Sequence, residues 1–122
     1  MNKTIIGVIL SVTLAITMTS FSVLAEPKGE KISVKGEVVD LWCFLEGGDH
    51  GAEHKACSTS CAKAGNPIGL LSEKQDVYVL MGIQDHQPAK DVLIAKMNET
   101  VTIEGTLVKK GGTQVIYVSS VK

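Results

Sequence analysis

ISVKGEVV, residues 32–39, alternates residues that favour a protein interior with polar residues. The even-numbered positions hold Ile, Val, Gly and Val, whereas positions 33, 35 and 37 hold Ser, Lys and Glu. Because successive side chains of a β-strand point to opposite faces, this pattern predicts a half-buried strand that continues toward Leu41. The segment that follows carries all of the cysteines in the chain.

Four more strands and two helices are predicted downstream. The strands are expected at 68–71, 77–81, 101–105 and 114–121, with a hairpin turn at 109–113 between the last two. One helix is expected at 52–64, where Gly65 can cap the C-terminus and Asn66-Pro67 stops the helix. A second helix is expected at 88–97, between the third and fourth strands.

This order of elements predicts a mainly β fold. Five strands with one helix between strands 3 and 4 is the order of a small five-stranded OB-like barrel. The Cys/His-rich helical segment would then be an insert between strands 1 and 2. The alternative is an open antiparallel sheet with a helix packed on one face.

The N-terminal residues have the features of a secretory signal peptide. Lys3 supplies a positive charge, an apolar run covers 5–16, and Val23-Leu24-Ala25 is a small-x-small cleavage site. The apolar run is shorter than the ~20 residues of a membrane-spanning helix. We therefore expect a signal peptide at 1–25 and a single domain at 26–122. The protein would be periplasmic or secreted, with no stable membrane anchor after cleavage.

The charge of the chain argues against a nucleic-acid partner. The full chain has a formal net charge of −1, and loss of Lys3 with the signal peptide would make it about −2. All basic residues are lysines, and aromatic residues make up 4% of the chain. Bidentate phosphate recognition relies on arginine, and single-stranded nucleic acids bind by stacking on aromatic rings, so neither mode is expected.

Residues 43–67, CFLEGGDHGAEHKACSTSCAKAGNP, hold the side chains that suit a metal site. On a helix His54, Cys57 and Cys61 share one face, and His50 extends that stripe by one turn. Cys43 ends the first strand, and a short return would bring it beside the stripe. Three sulfurs and one imidazole suit zinc or copper. The expected ligands are Cys43, His54, Cys57 and Cys61, with His50 as a substitute or fifth ligand.

A disulfide is the main alternative to a metal. Cysteines of exported proteins commonly oxidise, and three cysteines would leave one thiol free. A bridge from Cys43 to Cys57 or Cys61 would staple the insert to the barrel. The protein would then be a disulfide-stapled OB-like binding module for a peptide or a sugar, with no metal. A thiol redox protein that uses Cys57-x-x-x-Cys61 is a weaker option, because no CxxC motif is present.

The chain resembles, at these residues, a group of small exported bacterial proteins of unassigned function. Their shared pattern is G-x-V-x-D-x-x-C, then H-x-x-C-x-x-x-C, then G-x-P-x-G-L, which corresponds here to 36–43, 54–61 and 65–70. The resemblance covers roughly residues 34–71 well and the later strands in outline. It implies an OB-like fold, and it implies that Asp40, Cys43, His54, Cys57 and Cys61 act as a unit.

The expected function is therefore the binding of one transition metal, for metal trafficking or for structural support of the insert. A metal donor or acceptor protein is the expected partner. No Ser-His-Asp set and no pair of carboxylates appears in a pattern that demands catalysis, so we expect a binding protein rather than an enzyme.

Overall fold

The computed structural model describes residues 25–122, which form five strands and three short helices. The strands are β1 (Glu30–Asp40), β2 (Ile68–Ser72), β3 (Val77–Gly82), β4 (Thr100–Lys110) and β5 (Thr113–Val121). The helices are α1 (Leu41–Gly47), α2 (Lys55–Ala64) and α3 (Lys90–Leu93). Single 3-10 turns lie at Ala52–His54 and Ile94–Lys96. A strand is present at each of the five predicted places.

The strands close into a barrel in the order β1-β2-β3-β5-β4. Strand β1 closes it, because its first part pairs with β4 and its last part pairs with β2. Gly36 lies where the two pairings overlap, opposite both Val101 and Ser72. All of the pairings are antiparallel except that of β3 with β5, which is parallel. The closed barrel rules out the open sheet that was the alternative prediction.

The barrel interior is filled by aliphatic side chains from every strand. The central ones are fully or almost fully buried: Val38, Leu70, Leu80, Ile103, Ile116 and Val118. Leu93 and Met97, from the segment between β3 and β4, complete this core and are also fully buried. Burial of apolar surface of this kind is the main stabilising contribution to folding.

The helices differ from the prediction in detail. The helix expected at 52–64 is present as the 3-10 turn followed by α2, and Gly65 caps it in the left-handed conformation at φ 111°. The helix expected at 88–97 is shorter, because it consists of the four residues of α3 and one 3-10 turn. Helix α1 was not predicted. Strand β1 ends at Asp40, and the chain turns directly into this helix.

Contacts between its two ends and along α2 hold the insert in place on the barrel. The N–H of Leu41 donates to the carbonyl oxygen of Pro67 at 3.0 Å, which joins the two ends of the insert. Helix α2 buries Ser58 and Ala62, four residues apart on one face, against the barrel. The ammonium group of Lys55 pairs with the carboxylate of Glu99, just before β4.

The predicted signal peptide lies almost wholly outside the described residues. It covers 1–25, and the description begins at residue 25. Among the helices of residues 25–122, none combines the length and the apolar character that crossing a membrane requires.

Candidate metal centre

Cys43 is positioned by the N-terminus of helix α1. Asp40 is the N-cap residue of this helix, and its Oδ1 accepts a hydrogen bond from the backbone N–H of Cys43 at 3.0 Å. A carboxylate in this position satisfies a backbone donor that has no partner within the helix. Asp40 therefore caps α1, and the cap fixes Cys43 in the first turn of this helix.

Cys57 and Cys61 are positioned by helix α2. They lie one turn apart, next to the buried face formed by Ser58 and Ala62. Cys61 is half-buried and Cys57 is exposed. The helix therefore presents two thiols at the boundary between the barrel and solvent, on the side that α1 approaches.

The two helices bring the three cysteines together. The sulfur atoms of Cys43, Cys57 and Cys61 all lie within 4.8 Å of one another. All three are free thiols. Sulfurs at this separation are close enough to bind a single metal ion, and thiolates are the ligands that zinc and cuprous copper favour. The predicted convergence of Cys43 with the α2 cysteines is confirmed.

The surroundings of the cluster raise the pKa of two of its thiols. A side-chain hydrogen bond to Asp40, with burial and the charges of Asp40 and the other cysteines, raises the pKa of Cys43 to about 12. Burial is the main cause that raises the pKa of Cys61, and the neighbouring Cys57 and Asp40 raise it further. A metal ion that binds here must therefore displace thiol protons, and its own positive charge supplies the driving force.

The histidines lie near the cluster but contact carboxylates. His54 Nε2 is 3.7 Å from Asp49 Oδ1. His50 Nδ1 is 3.3 Å from Glu37 Oε2, and the His50 ring packs edge-on against Phe44. The group of ligand atoms within 4.8 Å of one another contains the three sulfurs and no imidazole nitrogen. Ligation by His54 or His50 would need a side-chain rotation and stays a prediction.

Glu37 organises the loop that carries these histidines, and the sequence analysis missed it. Its Oε1 accepts hydrogen bonds from the backbone N–H of Gly51 and from Asn98 Nδ2, and its Oε2 faces His50. The side chain therefore joins β1, the insert and the segment before β4. It sits on the polar face of a strand, where sequence gives no sign that it is more than a solvated charge.

An apolar surface lies beside Cys43. Trp42 is 63% exposed and Leu45 is 70% exposed, although both are large hydrophobic residues of α1. Together with Pro67 and Val79 they line an open groove of about 530 Å³. The remaining histidine, His86, is on the surface in the loop after β3 and takes no part in the cluster.

Comparisons of the chain with protein-family models, with curated proteins and with solved structures gave no match. The geometry of the three thiols is therefore the observation from which a function has to be argued.

Proposed function

We propose that this protein binds one transition metal ion through the thiolates of Cys43, Cys57 and Cys61. The observation that carries the proposal is the convergence of three sulfurs, from two separate helices, within 4.8 Å of one another. A fourth donor would complete the coordination sphere. The sequence pattern nominates His54 for it, with His50 as a substitute. Zinc and copper are the candidate metals, because both accept thiolate and imidazole ligands.

The placement of the site favours a transferable metal over a purely structural one. The main barrel core contains no cysteine, so the barrel does not depend on the metal for its hydrophobic interior. Cys57 is exposed, which would let a thiol of another protein reach the ion. Metal trafficking by exchange of thiolate ligands is therefore the preferred role. Structural support of the insert is the second role, because helices as short as α1 and α2 are marginal on their own.

The partner would be a metal donor or acceptor protein. The exposed apolar surface of Trp42 and Leu45 adjoins Cys43, and a docked partner would cover it. We place this exchange in the periplasm or outside the cell, on the basis of the signal peptide features. We further infer an OB-like fold, which the strand order β1-β2-β3-β5-β4 and the helical segment between β3 and β4 support.

The alternative function is a disulfide-stapled binding module without a metal. The same closeness of the sulfurs supports it, because a small movement would allow a bond between two of them. Such a staple would hold the insert against the barrel. The barrel face would then bind a peptide or a sugar.

Metal analysis and a thiol count on the exported protein separate the two functions. The intact mass of the protein first tests the signal peptide, because cleavage after Ala25 leaves Glu26 as the N-terminus. The metal function predicts one zinc or copper per chain and three thiols that react once the metal is chelated. The staple function predicts no metal, one reactive thiol, and a stability that falls by about 2–5 kcal/mol on reduction. That second result would contradict the proposal.

A further inference from the structure

Asp40 has more acceptor capacity than its capping role uses. Its side chain is 1% exposed, and Oδ1 is occupied by the N–H of Cys43. The other oxygen, Oδ2, is buried and accepts no well-aligned hydrogen bond within residues 25–122, although the Cys43 thiol interacts with this carboxylate. Buried carboxylate oxygens are normally satisfied, because leaving one without a partner costs free energy. This orphaned oxygen requires an explanation.

Within residues 25–122, no Lys or His side chain lies within ion-pair distance of Asp40. The described ion pairs all involve other carboxylates. Besides the backbone N–H of Cys43, the polar groups that interact with this carboxylate are the thiols of Cys43 and Cys61. A buried negative charge is tolerated when it is paired or when it coordinates a metal. The cation that would bind the three sulfurs is the group that this carboxylate lacks.

We propose that Asp40 Oδ2 is the fourth donor to a divalent ion of the zinc class, alongside the thiolates of Cys43, Cys57 and Cys61. The inference rests on the proposed metal function and specifies its ligand set. Oδ2 does not belong to the group of atoms within 4.8 Å of one another, so the carboxylate rotates toward the ion on binding. Three thiolates and one carboxylate carry the same formal charge as the four thiolates of a common structural zinc site.

This ligand set discriminates between metals. A carboxylate oxygen is a hard donor that suits a divalent ion, whereas cuprous copper is satisfied by soft thiolates. Asp40 therefore favours zinc over cuprous copper at this site. It also leaves His54 outside the coordination sphere, beside Asp49. The two candidates for the fourth position, Asp40 and His54, can be separated by matched substitutions.

The experiment compares Asp40→Asn with His54→Ala in reduced protein under anaerobic conditions. Asparagine is a good N-cap residue, so the first variant keeps the start of α1 while it removes the carboxylate. Cobalt(II) serves as the spectroscopic probe, and zinc affinity is measured by competition with a chelator. Asp40→Asn should shift the cobalt d–d bands and weaken zinc binding by about 10-fold or more. It should leave the binding of cuprous copper unchanged. His54→Ala should change neither the cobalt bands nor the affinities for zinc and cuprous copper.

A variant that adds a fourth thiolate ligand provides an independent test. Asp40→Cys should add a fourth thiolate, and the sulfur-to-cobalt charge-transfer absorption should rise by about one third, as expected for four thiolates instead of three. If this absorption does not rise, or if His54→Ala rather than Asp40→Asn shifts the bands, Asp40 is not the fourth donor. In both cases the metal function would stand. If the reduced wild-type protein takes up neither cobalt nor zinc, the proposed function falls together with the inference.

Discussion

The side chain of Leu41 lies directly over Gly69, where a Cβ atom would overlap its Cδ2 methyl group. Leu41 is the first residue of α1, and Gly69 is in β2. Leu41 is buried with Val39 and Leu71 in a small cluster separate from the main core. The absence of a side chain at residue 69 therefore lets the insert begin flat against the barrel, two residues before Cys43.

Gly69→Ala should destabilise the protein by about 1–3 kcal/mol, because the added methyl group overpacks this small cluster. Displacement of Leu41 should also move Cys43 and weaken metal binding. Gly47→Ala is the matched control, since a Cβ at that position meets only the Asp49 side chain, at 3.4 Å or more. Chemical unfolding and zinc competition measure the two effects. Equal stabilities of the two variants would show that Leu41 has room to move.

A change of Cys43, Cys57 or Cys61 to serine should strongly weaken metal binding. The loss of affinity should exceed the roughly 10–100-fold that is lost when a residue hydrogen-bonded to a metal ligand is removed. Each change removes one of the three converging sulfurs. Binding should also weaken as the pH falls, because protons compete for the thiolates. His86→Ala is the control, since that side chain is 91% exposed and does not belong to the cluster. A cysteine variant that keeps full affinity would exclude its sulfur from the site.

Leu80→Ala should lower the free energy of unfolding by about 2–5 kcal/mol, because Leu80 is 2% exposed in the main core. Its neighbour Met81 is 41% exposed, so Met81→Ala should change stability little. The apolar run at 77–81 by itself predicts that Met81 packs in the core, and the structure corrects this expectation. Urea unfolding compares the two variants, and a larger loss for Met81→Ala would mean that β3 faces the other way.

Glu99 should make stability depend on pH in the acidic range. Hydrogen bonds from Lys55 and Lys96 lower the pKa of this carboxylate below its ordinary value of 4.5. The folded state therefore favours the ionised form, and the stabilisation is complete above the unfolded-state pKa and lost as the pH falls through the folded-state value.

Glu99→Gln should therefore melt at a lower temperature than the wild type at neutral pH. The two melting temperatures should converge as the pH is lowered from about 5 to about 2. Lys55→Met should remove most of the same dependence, because Lys55 is the largest cause of the shift. A difference in melting temperature that stays constant across this range would refute the assignment.

Much of the barrel was predictable because its signals are local. The alternation at residues 32–39 indicates which face of β1 is buried. The pair Gly111-Gly112 indicates a hairpin turn, because glycine readily adopts the positive φ that both residues have in the structure. Strand β3 shows the limit of this reasoning. The apolar run at 77–81 predicts that Val77 and Val79 lie in the main core, but both are partly buried against the small cluster around Leu41. The insert covers one side of the barrel, and the sequence of β3 does not show which of its residues lie beneath the insert.

The sequence by itself determined the number and order of the strands, the end of α2 at Gly65, and the helical spacing of Cys57 and Cys61. Each depends on residues within a few positions of one another. Only the tertiary structure decided that Cys43 meets Cys57 and Cys61 from a helix rather than from the end of β1. It also decided that one buried oxygen of Asp40 accepts no well-aligned hydrogen bond and that Glu37 holds the loop at Gly51. These relationships join residues of separate elements. They arise from the closure of the barrel and the docking of α2 on it, which local spacing does not specify.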